Sequence, residues 1–143
     1  MKRVHQDYKE IIKIGERHYK DKNFCGVVTC CTAGQASFGK VFNLFKKKTN
    51  RTAGKGVVDH QIKEVLKNLD VTLEEIFKPK YKNERITVSQ AIKRLPKNEV
   101  FIVYLKSHVF CLDRGKITDW IAPTRRHRVE LIYKVTRHFK QVK

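Results

Sequence analysis

The chain has 143 residues, 41% of them hydrophobic, enough to bury a core within one domain (residues 1–143) without a metal or disulfide staple. Lys and Arg number 32 against 14 Asp and Glu, a formal net charge of +18. That field attracts polyanions without choosing among nucleic acid, anionic membrane and acidic protein. No apolar run is long enough to span a bilayer, and Met1 to Asp7 has no apolar stretch behind its charges, so neither a membrane anchor nor a signal peptide is expected.

The cysteines are Cys25, Cys30, Cys31 and Cys111, with no C-x-x-C pair and no histidine clustered beside them. They lack the spacing of a zinc site, and adjacent Cys30 and Cys31 within a helix are poor disulfide partners. A reducing, cytoplasmic location follows, and no metal or cofactor is called for.

Apolar positions Tyr8, Ile11, Ile12, Gly15 and Tyr19 recur at helical spacing and predict an amphipathic first helix, ended by the polar run Lys20 to Asn23. From Cys25 to about Phe38 small and apolar residues fall on nearly every face, as in a helix buried deep in a domain. Ser37 to Lys48 predicts a further helix with Lys46, Lys47 and Lys48 in its last turn, and a glycine-containing loop follows through Gly56. Asp59 to Leu69 is regularly amphipathic, whereas residues 77 to 86 look irregular. Thr87 and Gln90 have the spacing of a capping box opening a short helix that Pro96 stops.

The period then changes. Val100 to Leu105 is a continuous apolar run, expected of a central strand covered on both faces. Strands at Val109–Leu112 and Lys116–Ile121 flank the turn signal Asp113-Arg114-Gly115, and Val129 to Val135 alternates as a last strand. Helices followed by an antiparallel sheet predict an α+β domain.

Cys25 stands where a polar linker becomes an apolar helix, and the unpaired N–H donors of a helix N-terminus favour thiolate over thiol. If Asp113 and Arg114 form the turn, Leu112 faces Gly115 and position 108 lies opposite position 119; a three-residue turn through Gly115 shifts this by one. His108 and Asp119 would then be cross-strand neighbours. The roles follow: Cys25 attacks a carbonyl, His108 moves the proton, and Asp119 fixes the imidazole's tautomer. The backbone N–H of Cys25 is the expected oxyanion donor, with Asn23 as the side-chain donor and Tyr19 and His18 nearby in sequence. Trp120 would shield the pair from water. His5, His60, His127 and His138 have no comparable partners. Arg125, Arg126, Arg128, Arg137 and Lys140 form the expected polyanion-facing group.

Asn23-Phe24-Cys25-Gly26, Gly54-Lys55-Gly56 and the later run of Thr87-Val88-Ser89-Gln90, Leu95-Pro96-Lys97, His108-Val109, Gly115-Lys116-Ile117 and Asp119-Trp120 resemble the small papain-like cysteine peptidases. The likeness is greatest to the bacteriocin-leader-peptidase-like group, which includes short bacteriophage proteins. It spans most of residues 8 to 135 and implies a papain-like fold, a Cys25–His108–Asp119 triad and hydrolysis of an amide or isopeptide bond, in a host cytoplasm if the protein is viral. The wider superfamily commonly has a Gln six residues before the nucleophile; Tyr19 stands there, so either Asn23 substitutes or the oxyanion hole is weaker. The expected function is thus a cysteine hydrolase acting on a protein or peptide, steered to an acidic partner by its charge. The alternative is a non-catalytic, nucleic-acid-binding module on the same fold.

Overall fold

A five-stranded antiparallel sheet carries helices on both faces. The computed structural model describes residues 2–4, 7–17, 25–49, 51, 59–106, 108–118 and 127–142, with the backbone alone for residues 2–4, 82 and 140–142. Among these, the chain forms β1 (Lys2–Val4), α1 (Tyr8–Arg17), α2 (Cys25–Gly34), α3 (Phe38–Thr49), α4 (Asp59–Lys67), β2 (Val71–Phe77), a 3-10 turn (Lys82–Glu84), α5 (Val88–Arg94), β3 (Val100–Leu105), β4 (His108–Asp113), β5 (Lys116–Thr118), β6 (Val129–Arg137) and β7 (Lys140–Val142). The large sheet has the order β2-β6-β3-β4-β5, so the uninterrupted apolar strand β3 is its middle member, as its sequence predicts. β1 and β7 pair in parallel as a separate ribbon.

Each face of the sheet has its own core. On one side Val100, Ile102, Val109, Cys111, Tyr133 and Val135 meet buried residues of α1 to α4; on the other, Phe101, Val103, Leu105, Phe110 and Leu112 meet Val88 and Ala91 of α5. Helix α2 lacks a polar face, and from Gly26 to Gly34 every residue is buried. It ends at Gly34, short of the helix expected to reach Phe38, because Gln35 takes φ 53 and the Ala36 N–H turns back to the Cys31 carbonyl at 3.1 Å. This is the helix-ending geometry that a left-handed residue creates. A Cβ on Gly15 would lie 2.7 Å from the Phe38 ring, so α1 lies close to α3 only because that position is glycine.

The capping box is present: the Gln90 N–H donates to Thr87 Oγ1 at 3.1 Å and the Thr87 N–H donates to Gln90 Oε1 at 2.9 Å. Strand β2, not anticipated from the sequence, is an edge strand on which only Val71 is buried. β6 departs from simple alternation: its register with β3 slips between Tyr104 and Leu105, so Val129 and Ile132 share the α5 side while Tyr133 and Val135 face the helices.

Candidate active site

The threonines of α2 align it with the sheet. Thr29 Oγ1 donates to the Cys25 carbonyl at 2.8 Å and lies 3.4 Å from the Val109 carbonyl of β4. Thr32 Oγ1 lies 3.1 Å from the Val28 carbonyl and 3.3 Å from the Thr118 hydroxyl, which donates to the Cys111 carbonyl at 2.9 Å. Such bonds to the preceding helical turn let hydroxyls sit in a dry interior. At the far end, Arg137 joins the Thr32 and Ala33 carbonyls to Asp113. Helix α2 therefore runs parallel to β4, with Thr29 beside Val109 and Ala33 near Asp113.

Cys25, the first residue of α2, lies about 6 Å before Thr29 along the helix axis. His108, the first residue of β4, lies one strand position before Val109. The two candidates thus lie toward the same end of the helix–sheet layer. Cys25 is half-buried, whereas Cys30, Cys31 and Cys111 are fully enclosed. Burial pushes the Cys30 and Cys31 thiols up and raises Cys111 to about 11, which keeps all three protonated and unreactive.

The imidazole's company differs from expectation. His108 pairs with Leu105 across the β3–β4 hairpin, and its ring stacks near Phe110 at 6.4 Å between centroids and 29° between planes. Leu105 and Phe110 belong to the α5-side core, whereas α2 covers the other face. By strand alternation His108 projects from the face opposite α2.

The counted β4–β5 register also needs correction. The turn residues are Arg114 and Gly115, with φ 51 and 85, and the observed pairs are Asp113↔Lys116, Leu112↔Ile117 and Cys111↔Thr118. Positive φ at both central positions is the hairpin turn that matches strand twist, and glycine makes the second one easy. Pairing is displaced by two positions from a turn at Asp113 and Arg114, which removes the count that set position 108 opposite position 119. Asp119 itself, with Trp120, Asn23, Tyr19 and His18, lies outside the described residues, as do Arg125 and Arg126. β5 is antiparallel to β4, so at Thr118 it is directed toward the end of the sheet where β4 begins.

Arg137 corrects the expected polyanion-facing group. It turns inward, and its side chain is only 10% exposed. Arg128 remains exposed and donates to the Arg85 carbonyl at 3.4 Å. Of Lys140 only the backbone is described.

Sequence reasoning missed a polar cluster on the helix side of the sheet. Asp59, opening α4, accepts from the Tyr104 hydroxyl at 2.8 Å and the Tyr133 hydroxyl at 2.9 Å, and lies 3.4 Å from Lys63 Nζ. Tyr104 is paired with Val109, so the cluster stands next to the strand position that meets Thr29. Desolvation, reinforced by Asp59, holds both tyrosines protonated above their ordinary range, as donors must be. The available signal was Tyr104 itself, the hydroxyl within an otherwise apolar strand.

Comparison with protein-family models, curated proteins and solved structures finds no match to this chain. No metal-binding cluster of His, Cys, Asp or Glu occurs among the described residues, and no helix among them is long and apolar enough to cross a membrane.

Proposed function

We propose that the protein is a papain-like cysteine hydrolase that cleaves a peptide, isopeptide or related amide bond, with Cys25 as nucleophile, His108 as general base and acid, and Asp119 as the group that orients the imidazole. The observation that carries this reading is the position of Cys25: a half-buried thiol at the start of a dry helix, toward the same end of the layer as the start of the strand that bears His108. The first N–H groups of a helix lack intrahelical acceptors, a donor set suited to a developing oxyanion, and the Cys25 N–H is the proposed backbone donor. His108 begins β4 and forms the last β3–β4 pair among the described residues, and the reading requires its ring to turn from Phe110 toward that end.

In the first half-reaction sulfur bonds to the substrate carbonyl carbon, its proton passes to His108, and the amine leaves with that proton as a thioester forms. Water then attacks the thioester, giving its proton to His108 and then to the departing sulfur. Asn23 is the proposed side-chain oxyanion donor. The +18 charge would draw an acidic protein or assembly toward the cleft.

Iodoacetamide mapping by mass spectrometry tests the roles. At neutral pH the native protein is expected to be alkylated at Cys25 and spared at Cys30, Cys31 and Cys111. His108→Ala is expected to slow the Cys25 reaction about tenfold or more, with far-UV circular dichroism unchanged. A Cys25 rate indifferent to His108→Ala and no faster than free cysteine would count against the proposal.

A further inference from the structure

Helix α3 carries Lys40, Lys46, Lys47 and Lys48 and no acidic residue in its 12 positions. Its inner side is Phe38, Val41 and Phe45, so at 100° per residue Lys40, Asn43, Lys46 and Lys47 occupy the opposite arc, while Lys48, in the last turn, flanks the Val41 side. All four lysines are exposed. Glu10, Asp59, Glu99, Asp113 and Glu130 are engaged by cations on other elements. None of the α3 lysines has an ion pair among the described residues.

The helix dipole accounts for only part of this pattern. It favours the three last-turn lysines and disfavours Lys40 in the first turn, so a uniformly basic stripe is not what helix stability alone selects. Where the helix ends, Lys48 and Thr49 border a surface depression of about 440 Å³ with His60, Gln61 and Glu64 of α4, and Glu64 is the one acid in that lining.

We propose that the outer face of α3 is a docking surface for the phosphate backbone of nucleic acid, bound without reading base sequence. Lys40 and Lys47 are about 10 Å apart along the axis, a span that faces several phosphates of a duplex carrying one charge per about 1.7 Å. A lipid surface fits less well, because interfacial helices bury an apolar flank. The large apolar side chains exposed among the described residues, Ile76 and Tyr81, lie on β2 and the segment after it. No aromatic ring is exposed on α3, so the contact is to phosphate rather than to stacked bases. This property belongs to a different element from the thiol and stands whether or not Cys25 is a nucleophile.

Fluorescence anisotropy with a short mixed-sequence DNA duplex, over a salt series, tests it. Three lysine–phosphate contacts contribute about −2.7 to the slope of log affinity against log salt, a loss of about 40-fold between 50 and 200 mM. The variant K40Q/K46Q/K47Q is expected to lose that share of the slope while keeping its thermal melt. Removing three charges elsewhere, in K78Q/K80Q/K93Q, should leave most of the slope intact. The proposal is overturned by no anisotropy change at 50 mM salt, by equal weakening in the two variants, or by binding to phosphatidylserine vesicles but not DNA.

Discussion

Arg137→Ala is expected to lower the free energy of unfolding by about 3–5 kcal/mol, read as a fall in the urea midpoint at unchanged slope. The Arg137 Nε donates to the Ala33 carbonyl at 2.8 Å and one Nη to the Thr32 carbonyl at 2.9 Å. The same Nη lies 3.8 Å from Asp113 Oδ2, and the Asp113 side chain is 3% exposed. The guanidinium thus donates to two carbonyls at the end of α2 while lying within ion-pair range of a buried carboxylate, a task suited to its planar fork. Desolvation lowers the affinity of Arg137 for its proton, and the Asp113 charge opposes that fall. Alanine would leave the carboxylate with Arg114, 3.0 Å away but half exposed, and two helix-end carbonyls without their donor. Arg137→Lys should recover only part of the loss. The pair Arg137→Met with Asp113→Leu should recover more, because no buried charge remains. A loss below about 1 kcal/mol in Arg137→Ala would contradict this account of how α2 is fixed on the sheet.

Stability is expected to fall steeply as pH rises past about 9, because Cys30, Cys31 and Cys111 stay protonated in the fold at pH values where unfolded thiols ionise. Burial is the largest cause for each thiol, and Cys111 is raised to about 11. The sign follows from proton counting: above the unfolded value the unfolded chain holds fewer protons than the native one, so alkali favours unfolding. Each thiol contributes a slope of about 1.4 kcal/mol per pH unit, or about 4 for the three together. For Cys111 the window lies between about 9 and 11. Tyr104 and Tyr133 act in the same direction at higher pH. Lysine discharge relieves repulsion in a chain of net charge +18, so the decisive quantity is the difference between wild type and Cys111→Ala below pH 10. That variant should show a slope smaller by about a third. A flat profile to pH 10, or an unaltered slope in the variant, would contradict it.

The elements whose sequence pattern is their own structural cause are legible in the sequence. Val100 to Leu105 needed both faces covered and is the middle strand; Thr87 and Gln90 needed each other and bond as a capping box. β2 was not legible, because Leu73, Glu74, Glu75 and Ile76 carry no period of two and the segment becomes a strand through β6. Arg137 looked like its basic neighbours in the tail. Its role depends on continuing the Tyr133, Val135, Arg137 face toward α2, a step the alternation allowed once β6 was seen to reach that far. The hairpin register turned on one residue: a turn through Arg114 and Gly115 differs by two pairs from one through Asp113 and Arg114. At the candidate site, the thiol's place at the helix start was readable from composition. The face from which His108 projects was not, since it follows from pairing with Leu105.

If Cys25 and His108 act together, the sulfur and the imidazole ring must share one cleft, and nuclear Overhauser spectroscopy on protein labelled at Cys and His measures their proximity. Cross-peaks are expected between the Cys25 β-protons and the His108 ring protons, retained or strengthened after Cys25 is capped by an amide-bearing alkylating agent. Cross-peaks from the His108 ring to Phe110 with none to Cys25, in both the free and the capped protein, would contradict it.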